Sequence, residues 1–371
     1  KLFETLHCGA CHTTPGSQEN EAAKISLKQV GAKFLPGALE AFLEKPDAHY
    51  AWIRMPRFQL TDDQRRQLAS YLLAHSEKPA TFASGGDSAV ERGKKLVQST
   101  GCLNCHSLKL ENTFSAKPLA AGAPSATGCL AEKPGAEPQA PQFHFTNDQR
   151  EVLRAFLATD RASLARHDAA EFAHRQMKHL NCASCHGQFD GFPGLELLGE
   201  KLKPEWTEQF LSGAVKQKPR PWLTAQMPAF PKYAAELAKG LAMQHGLPPQ
   251  TPPEPAVDLD ASKIGNNLVS NPPLGFACVS CHAVGASGAT QVFEAPGINL
   301  AMSGERLQPA FFQRWIRNPA LVDSQTKMPV YFDDEGRSPI ADVYDGDGPK
   351  QILAMWHYLR LGDKMPPPKG D

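Results

Sequence analysis

The apolar residues of this chain fall in short runs at helical spacing, separated by loops rich in proline and glycine. Positions i, i+3 and i+4 share one face of a helix, so such runs predict helices that bury one side. Leu2, Phe3 and Leu6 make a short first face. Leu39, Phe42 and Leu43 mark a helix over 37–45, and Leu68, Tyr71 and Leu72 mark another. That third helix opens at Thr61-Asp62-Asp63-Gln64, where Thr caps the backbone and Gln reaches back to it. Thr146-Asn147-Asp148-Gln149 repeats the signal ahead of Val152, Leu153, Phe156 and Leu157. Ser88-Ala89-Val90-Glu91 predicts a capped helix running to Gly101. Further on, helices are expected from near Ala162 to Cys182, over 204–211 (Trp206, Phe210, Leu211) and over 233–244, where Gly246 stops the helix. The last set covers 261–269, a stretch around Phe311, Phe312, Trp315 and Ile316, and 349–361, with Ile352, Leu353, Trp356 and Leu359 facing inward. The fold class read from this pattern is all-α.

A five-residue string occupies the loops between these helices at regular intervals. It reads Cys8-Gly9-Ala10-Cys11-His12, Cys102-Leu103-Asn104-Cys105-His106, Cys182-Ala183-Ser184-Cys185-His186 and Cys278-Val279-Ser280-Cys281-His282. Cys-x-x-Cys-His is the attachment signal of c-type haem. Residues i and i+3 share a face, so both thiols reach the vinyl groups of one porphyrin, and the adjacent His lies under the iron as proximal ligand. Zinc sites share the Cys-x-x-Cys core, but a zinc ribbon places its second pair about 15–20 residues after the first. Here the first cysteines are 94, 80 and 96 residues apart, so each motif serves its own module. Four covalent haem c groups are expected, attached through Cys8, Cys11, Cys102, Cys105, Cys182, Cys185, Cys278 and Cys281, with His12, His106, His186 and His282 on iron.

Four motifs in 371 residues imply four modules, read as 1–80, 86–161, 162–250 and 258–371. Ser76–Asp87, small and polar, reads as a linker, and Leu247–Asp260, with five prolines, as a semi-rigid spacer. No run of about 18 apolar residues is present, so no transmembrane segment is expected. Lys plus Arg equals Asp plus Glu at 39 each, which provides no global field for nucleic acid. Haem is attached to such motifs outside the cytoplasm, so the chain is expected to be periplasmic or otherwise exported. No signal peptide is seen, and residue 1 stands seven residues before Cys8, which reads as a processing boundary with further sequence upstream.

Helix, haem motif, loop, helix, Met-Pro loop and terminal helix together resemble class I cytochrome c. In that family a methionine on the far loop ligates the iron opposite the histidine. The resemblance implies Met55, Met227 and Met328 as distal ligands; each precedes a proline, 43, 41 and 46 residues after its motif histidine. A residue before proline is held extended, which presents the thioether from a stiff loop. Met302 and Met365 compete with Met328, one close to the motif and one beyond the last helix. Arg54-Met55-Pro56 and Gln325–Phe332 also resemble the cytochrome c segments of large exported planctomycete and verrucomicrobial proteins, which often end multidomain chains.

The second module departs from the pattern. Alignment of Phe58–Thr61 with Phe143–Thr146 puts Ala140-Pro141 where the first module has Met55-Pro56, and the middle helix gives way to the Ala/Pro/Gly-rich stretch Ser115–Pro141. That stretch carries Cys129, the ninth cysteine. Three distal arrangements stay open: a thiolate from Cys129, an imidazole from His144, or an open face with Cys129 as a small buried hydrophobe. His7, His49, His75, His167, His174, His179, His245 and His357 show no ligand pattern, and the acidic turns Asp333–Gly336 and Asp342–Gly348 miss the EF-hand pattern.

These residues point first to electron transfer through linked haems, with other redox proteins or an upstream domain as partners. A second reading makes haem two a catalytic centre, since a His/Cys haem resembles that of the thiosulfate-oxidising di-haem cytochromes. Against it, that module shows no cluster of basic or acid–base residues beyond Lys109, Lys117, Lys133 and His144.

Overall fold

The computed structural model describes residues 1–17, 24–48, 50–77, 85–116, 128–131, 143–188, 192–292 and 296–369. His49, Lys117, Lys133, the Ala140-Pro141 pair, most of Ser115–Pro141 and residues 78–84 of the first linker lie outside the described residues. Among the described residues the chain is α- and 3₁₀-helical, with isolated bridges and no strand. It divides into two units: Lys1–Pro79 together with Asp168–Asp371, and Ala80–His167.

Local chemistry sets most helix ends. Thr61 Oγ1 accepts from Gln64 N at 3.2 Å while Gln64 Oε1 accepts from Thr61 N at 3.0 Å, so the helix Asp62–Ala74 starts where expected. Thr146 and Gln149 make the same pair at the start of Asn147–Leu157. The box expected at Ser88–Glu91 does not form. The helix there starts earlier, at Gly86, so Ser88 is already inside it, where a cap cannot act. Instead of one helix from Ala162, a 3₁₀ turn at Ala162–Ala165 is followed by Ala169–His179, whose first turn is capped by Asp168 Oδ1 accepting from Glu171 N at 2.8 Å. Proline opens both middle helices, Pro204–Ser212 and Pro309–Arg317. Val152 and Leu353, read as inward, are 69% and 46% exposed. Leu353 sits one step outside the buried stripe of its helix, while the helix of Val152 buries no residue fully.

Within the first unit, segments three (168–246) and four (258–369) each cross their first and last helices at a glycine. In segment three Ala169–His179 meets Ala234–Gln244, and a Cβ on Gly240 would overlap Ala169 O. In segment four Leu259–Val269 meets Gly348–Leu359, and a Cβ on Gly265 would overlap Ala354 O. The missing side chains let backbones touch. Around the second crossing lies the largest core, with Leu268, Val269, Phe312, Ile352, Met355, Trp356 and Tyr358 buried.

Segments one (1–77), three and four are joined by pairs of equivalent residues. Arg57 and Ala229 each stand two residues after a Met-Pro methionine, and they pair antiparallel: Arg57 N to Ala229 O is 2.9 Å and Ala229 N to Arg57 O is 2.8 Å. Tyr233 Oη donates to Trp52 O at 2.6 Å beside it, and the two rings meet edge-on at 5.0 Å. Segments three and four pair just before their middle helices, at Leu202 and Leu307, with Lys203 N to Arg306 O at 2.9 Å and Gln308 N to Lys201 O at 3.0 Å.

The proline-rich stretch after Gly246 is extended, as expected, yet it is not a free spacer. Glu254 from its middle accepts from Lys203 Nζ at 2.8 Å and from Trp356 Nε1 at 2.7 Å, with Arg360 Nε 3.4 Å away. One acid thereby ties the connector to both segments it links. The acidic turns likewise serve the backbone: Asp333 Oδ1 accepts from Arg337 N at 2.6 Å, and Asp347 caps the last helix at Lys350 N.

Candidate haem-binding sites

All four Cys-x-x-Cys-His strings fold alike. Cys8–Ala10, Cys102–Asn104, Cys182–Ser184 and Cys278–Ser280 are 3₁₀ turns, in which side chains at i and i+3 eclipse. The histidine N–H closes each turn on the first cysteine's carbonyl, at 3.0, 2.9, 3.0 and 3.0 Å in chain order. The residue before each turn is left-handed: His7, Gly101, Asn181 and Ala277 have φ of 53°, 86°, 60° and 58°. Only Gly101 adopts this freely, and an alanine there is strained. The strain fixes where the chain enters the turn and so where both thiols project.

In three motifs the histidine is also oriented. His12 Nδ1 lies 3.2 Å from Ile25 O, His186 Nδ1 2.9 Å from Pro193 O, and His282 Nδ1 2.8 Å from Ile298 O. A carbonyl only accepts, so Nδ1 carries the proton and Nε2 keeps its lone pair for a metal. Burial lowers the pKa of His12 and His282, which favours the same neutral ring. Gly297 runs so close to His282 that a Cβ there would overlap the imidazole. Burial pushes the thiols of Cys8 and Cys182 up to about 11 and that of Cys278 to about 12. No disulfide joins any of the nine cysteines.

The third motif shows how a site is completed. Cys182, His186 and Met227 line one cavity, whose apolar wall includes Leu195, Leu198, Trp206, Phe210, Leu211 and Leu237. Histidine, thiol and thioether thus meet around an apolar space, the donor set that a covalent porphyrin needs. At the first motif, Cys8 and Met55 pack against one core with Phe3, Leu6, Leu68 and Leu72. At the fourth, Cys278 packs on the main core, as does Met365, while Met328 Sδ accepts from Trp315 Nε1 at 3.1 Å. That bond uses one sulfur lone pair and holds the thioether in place.

The second unit is built more loosely. Cys102, Cys105, His106, Cys129 and His144 are exposed. Cys129 sits in the 3₁₀ turn Gly128–Leu130, which is anchored by Arg154 Nη2 donating to Leu130 O at 2.7 Å. His144 is left-handed, with φ of 50°.

Several residues that shape the sites carry no sequence motif. Asn181 Nδ2 donates to Ala10 O at 2.8 Å and lies 4.0 Å from Cys11 Sγ, so the third motif touches the first. Phe192 stands between His7, at 5.7 Å, and His186, at 6.2 Å, edge-on to both. The available signal was position: His7 and Asn181 are the residues immediately before the first cysteine.

Such a turn, with two thiols and an oriented histidine inside a helical frame, has the arrangement that covalent haem attachment requires. Residues 1–76 match the family model for cytochrome c. The family carries haem c covalently, with iron, and transfers electrons. No curated protein and no solved structure matches the chain. Among the described residues no helix is long and apolar enough to cross a membrane.

Proposed function

We propose that the chain is an exported tetrahaem c-type cytochrome that relays electrons, with modules one, three and four carrying His/Met haems on His12/Met55, His186/Met227 and His282/Met328. Haem c supplies a one-electron iron couple; the chain supplies the attachment, the axial ligands and the spacing. The observation that carries this reading is the contact between motifs one and three. Asn181 joins Ala10 and Cys11 across it, and electron transfer requires haem edges brought this near. Methionine opposite histidine raises the potential and leaves no iron position for substrate. The paired Met-Pro loops at Arg57 and Ala229 hold both distal ligands against the same interface.

A second reading rests on the second unit. There the exposed motif and the anchored Cys129 turn leave the distal ligand of haem two among Cys129, His144 and an open face. An open or thiolate-bound iron would make this haem the chemical end of the wire.

Low-temperature EPR of the oxidised protein separates the two. Four low-spin signals are expected for the relay, one of them unlike the other three. A high-spin quarter of the iron would contradict the relay and place an open site in module two. Cys129→Ala should change the odd signal alone if its thiolate is the ligand; an unchanged spectrum removes it.

A further inference from the structure

The cavity of module three holds an unexpected charge pattern. Lys201, Lys218, Arg220 and Arg306 line it together with the apolar wall, and no aspartate or glutamate among the described residues does. Lys218 Nζ is engaged by Leu223 O at 2.6 Å. Arg306 comes from module four. Its Nε is fully buried and without a hydrogen-bond partner, and its guanidinium rests 5.3 Å over Trp206 of module three. Lys201 reaches the other way, its Nζ 5.4 Å and 5.3 Å from the rings of Phe311 and Trp315 in module four. The two modules therefore exchange cations between equivalent positions, as a result of the antiparallel pairing at Leu202 and Leu307. Neither Lys201 nor Arg306 forms an ion pair with a described residue.

Burial with like charge nearby makes this arrangement costly by itself. Desolvation, together with Arg220, pushes Arg306 down to about 10. Desolvation, with Arg306 and Arg220 adding and Asp323 opposing, pushes Lys201 down to about 8, whereas no carboxylate of a described residue acts on Arg306. Buried cations are retained when an anion completes them. A ligand suited to this space is a flat apolar body bearing carboxylates, and arginine pairs with carboxylates through parallel N–H bonds.

Building on the tetrahaem reading, we propose that Arg306 of module four binds a propionate carboxylate of the haem held by module three, so that this cofactor site is shared between two modules. Arg306 acts as a positioning and charge-setting residue; the iron ligands stay within module three. A cation fixed beside the porphyrin disfavours the extra positive charge of ferric iron. The fold of module four thereby sets the potential of haem three.

The test uses the full chain, with haem content and redox potentials read separately. Arg306→Gln should keep four haems by the pyridine haemochrome spectrum. It should lower one midpoint, the component that Met227→Ala also moves, by about a tenfold change in its equilibrium, or 59 mV for one electron. Arg306→Lys, which keeps the charge, should recover most of that shift. Unchanged midpoints in Arg306→Gln, or equal shifts with Gln and Lys, would overturn the proposal and leave Arg306 a packing residue. Fewer than four haems in the unsubstituted chain would overturn the tetrahaem reading instead, and the proposal with it if the haem of module three is the one missing.

Discussion

Gly265→Val is expected to destabilise the fourth segment by about 3 kcal/mol or more, at the upper end of what overpacking costs. The first Cβ atom would overlap Ala354 O and come within 2.9 Å of Tyr358 Cβ on the facing helix. That helix has nowhere to retreat. Gln351, Ala354 and Tyr358 are buried; Gln351 Nε2 donates to Ile340 O at 2.9 Å and Val343 O at 2.7 Å, and Tyr358 Oη donates to Pro366 O at 2.6 Å. The whole back of the helix is thus fixed to surrounding loops. Gly93, in the helix Gly86–Ser99 of the other unit, is the control. A Cβ there meets nothing within 4 Å, so Gly93→Ala should gain up to about 1 kcal/mol of helix propensity. Urea denaturation of both variants checks this. A Gly265→Val protein as stable as its parent would mean the crossing is not as tight as the geometry indicates.

Met227→Ala is expected to have the largest effect on redox behaviour. Met227 lines the same cavity as Cys182 and His186, and no second methionine sulfur takes its place on the distal side: Met177, also in that wall, lies on the approach helix ahead of the motif. On the proposed ligation, loss of the thioether would leave His186 as the one protein ligand of the iron of haem three. Axial ligands tune haem over roughly 0.8 V, and methionine lies toward the high end, so one midpoint should fall by a large share of that range. A redox titration followed in the Soret band would show one component move and three stay. Four unmoved components would remove Met227 from the ligand set.

Local features of this fold were legible in the sequence because their causes are local. A capping box needs four neighbouring residues, and those at Thr61 and Thr146 form. The motif turn needs five, and it folds alike four times as a 3₁₀ turn. Ser88–Glu91 failed as a cap because the helix begins at Gly86 with Gly85 as its N-cap, three residues before Ser88. What was not legible is the pairing between segments. Arg57 finds Ala229, and Leu202 finds Leu307, across more than a hundred residues with no motif at any of the four positions. Arg306 and Lys201 belong to no motif and stand at the ends of short helices, and those pairings turn them inward. Gly240 and Gly265 did carry a signal, since a glycine inside a helical pattern costs stability unless something packs against it. Glu254, the one acid between Leu247 and Val257, likewise marked where the connector is held.

The central claim is that all four Cys-x-x-Cys-His turns carry covalent haem, and the pyridine haemochrome spectrum, set against protein concentration on the denatured and acid-acetone-extracted chain, tests it most directly. The account predicts four haem c per polypeptide, retained after extraction. One haem per chain, attached only at Cys8 and Cys11, would contradict it and leave the other three turns in need of a different explanation.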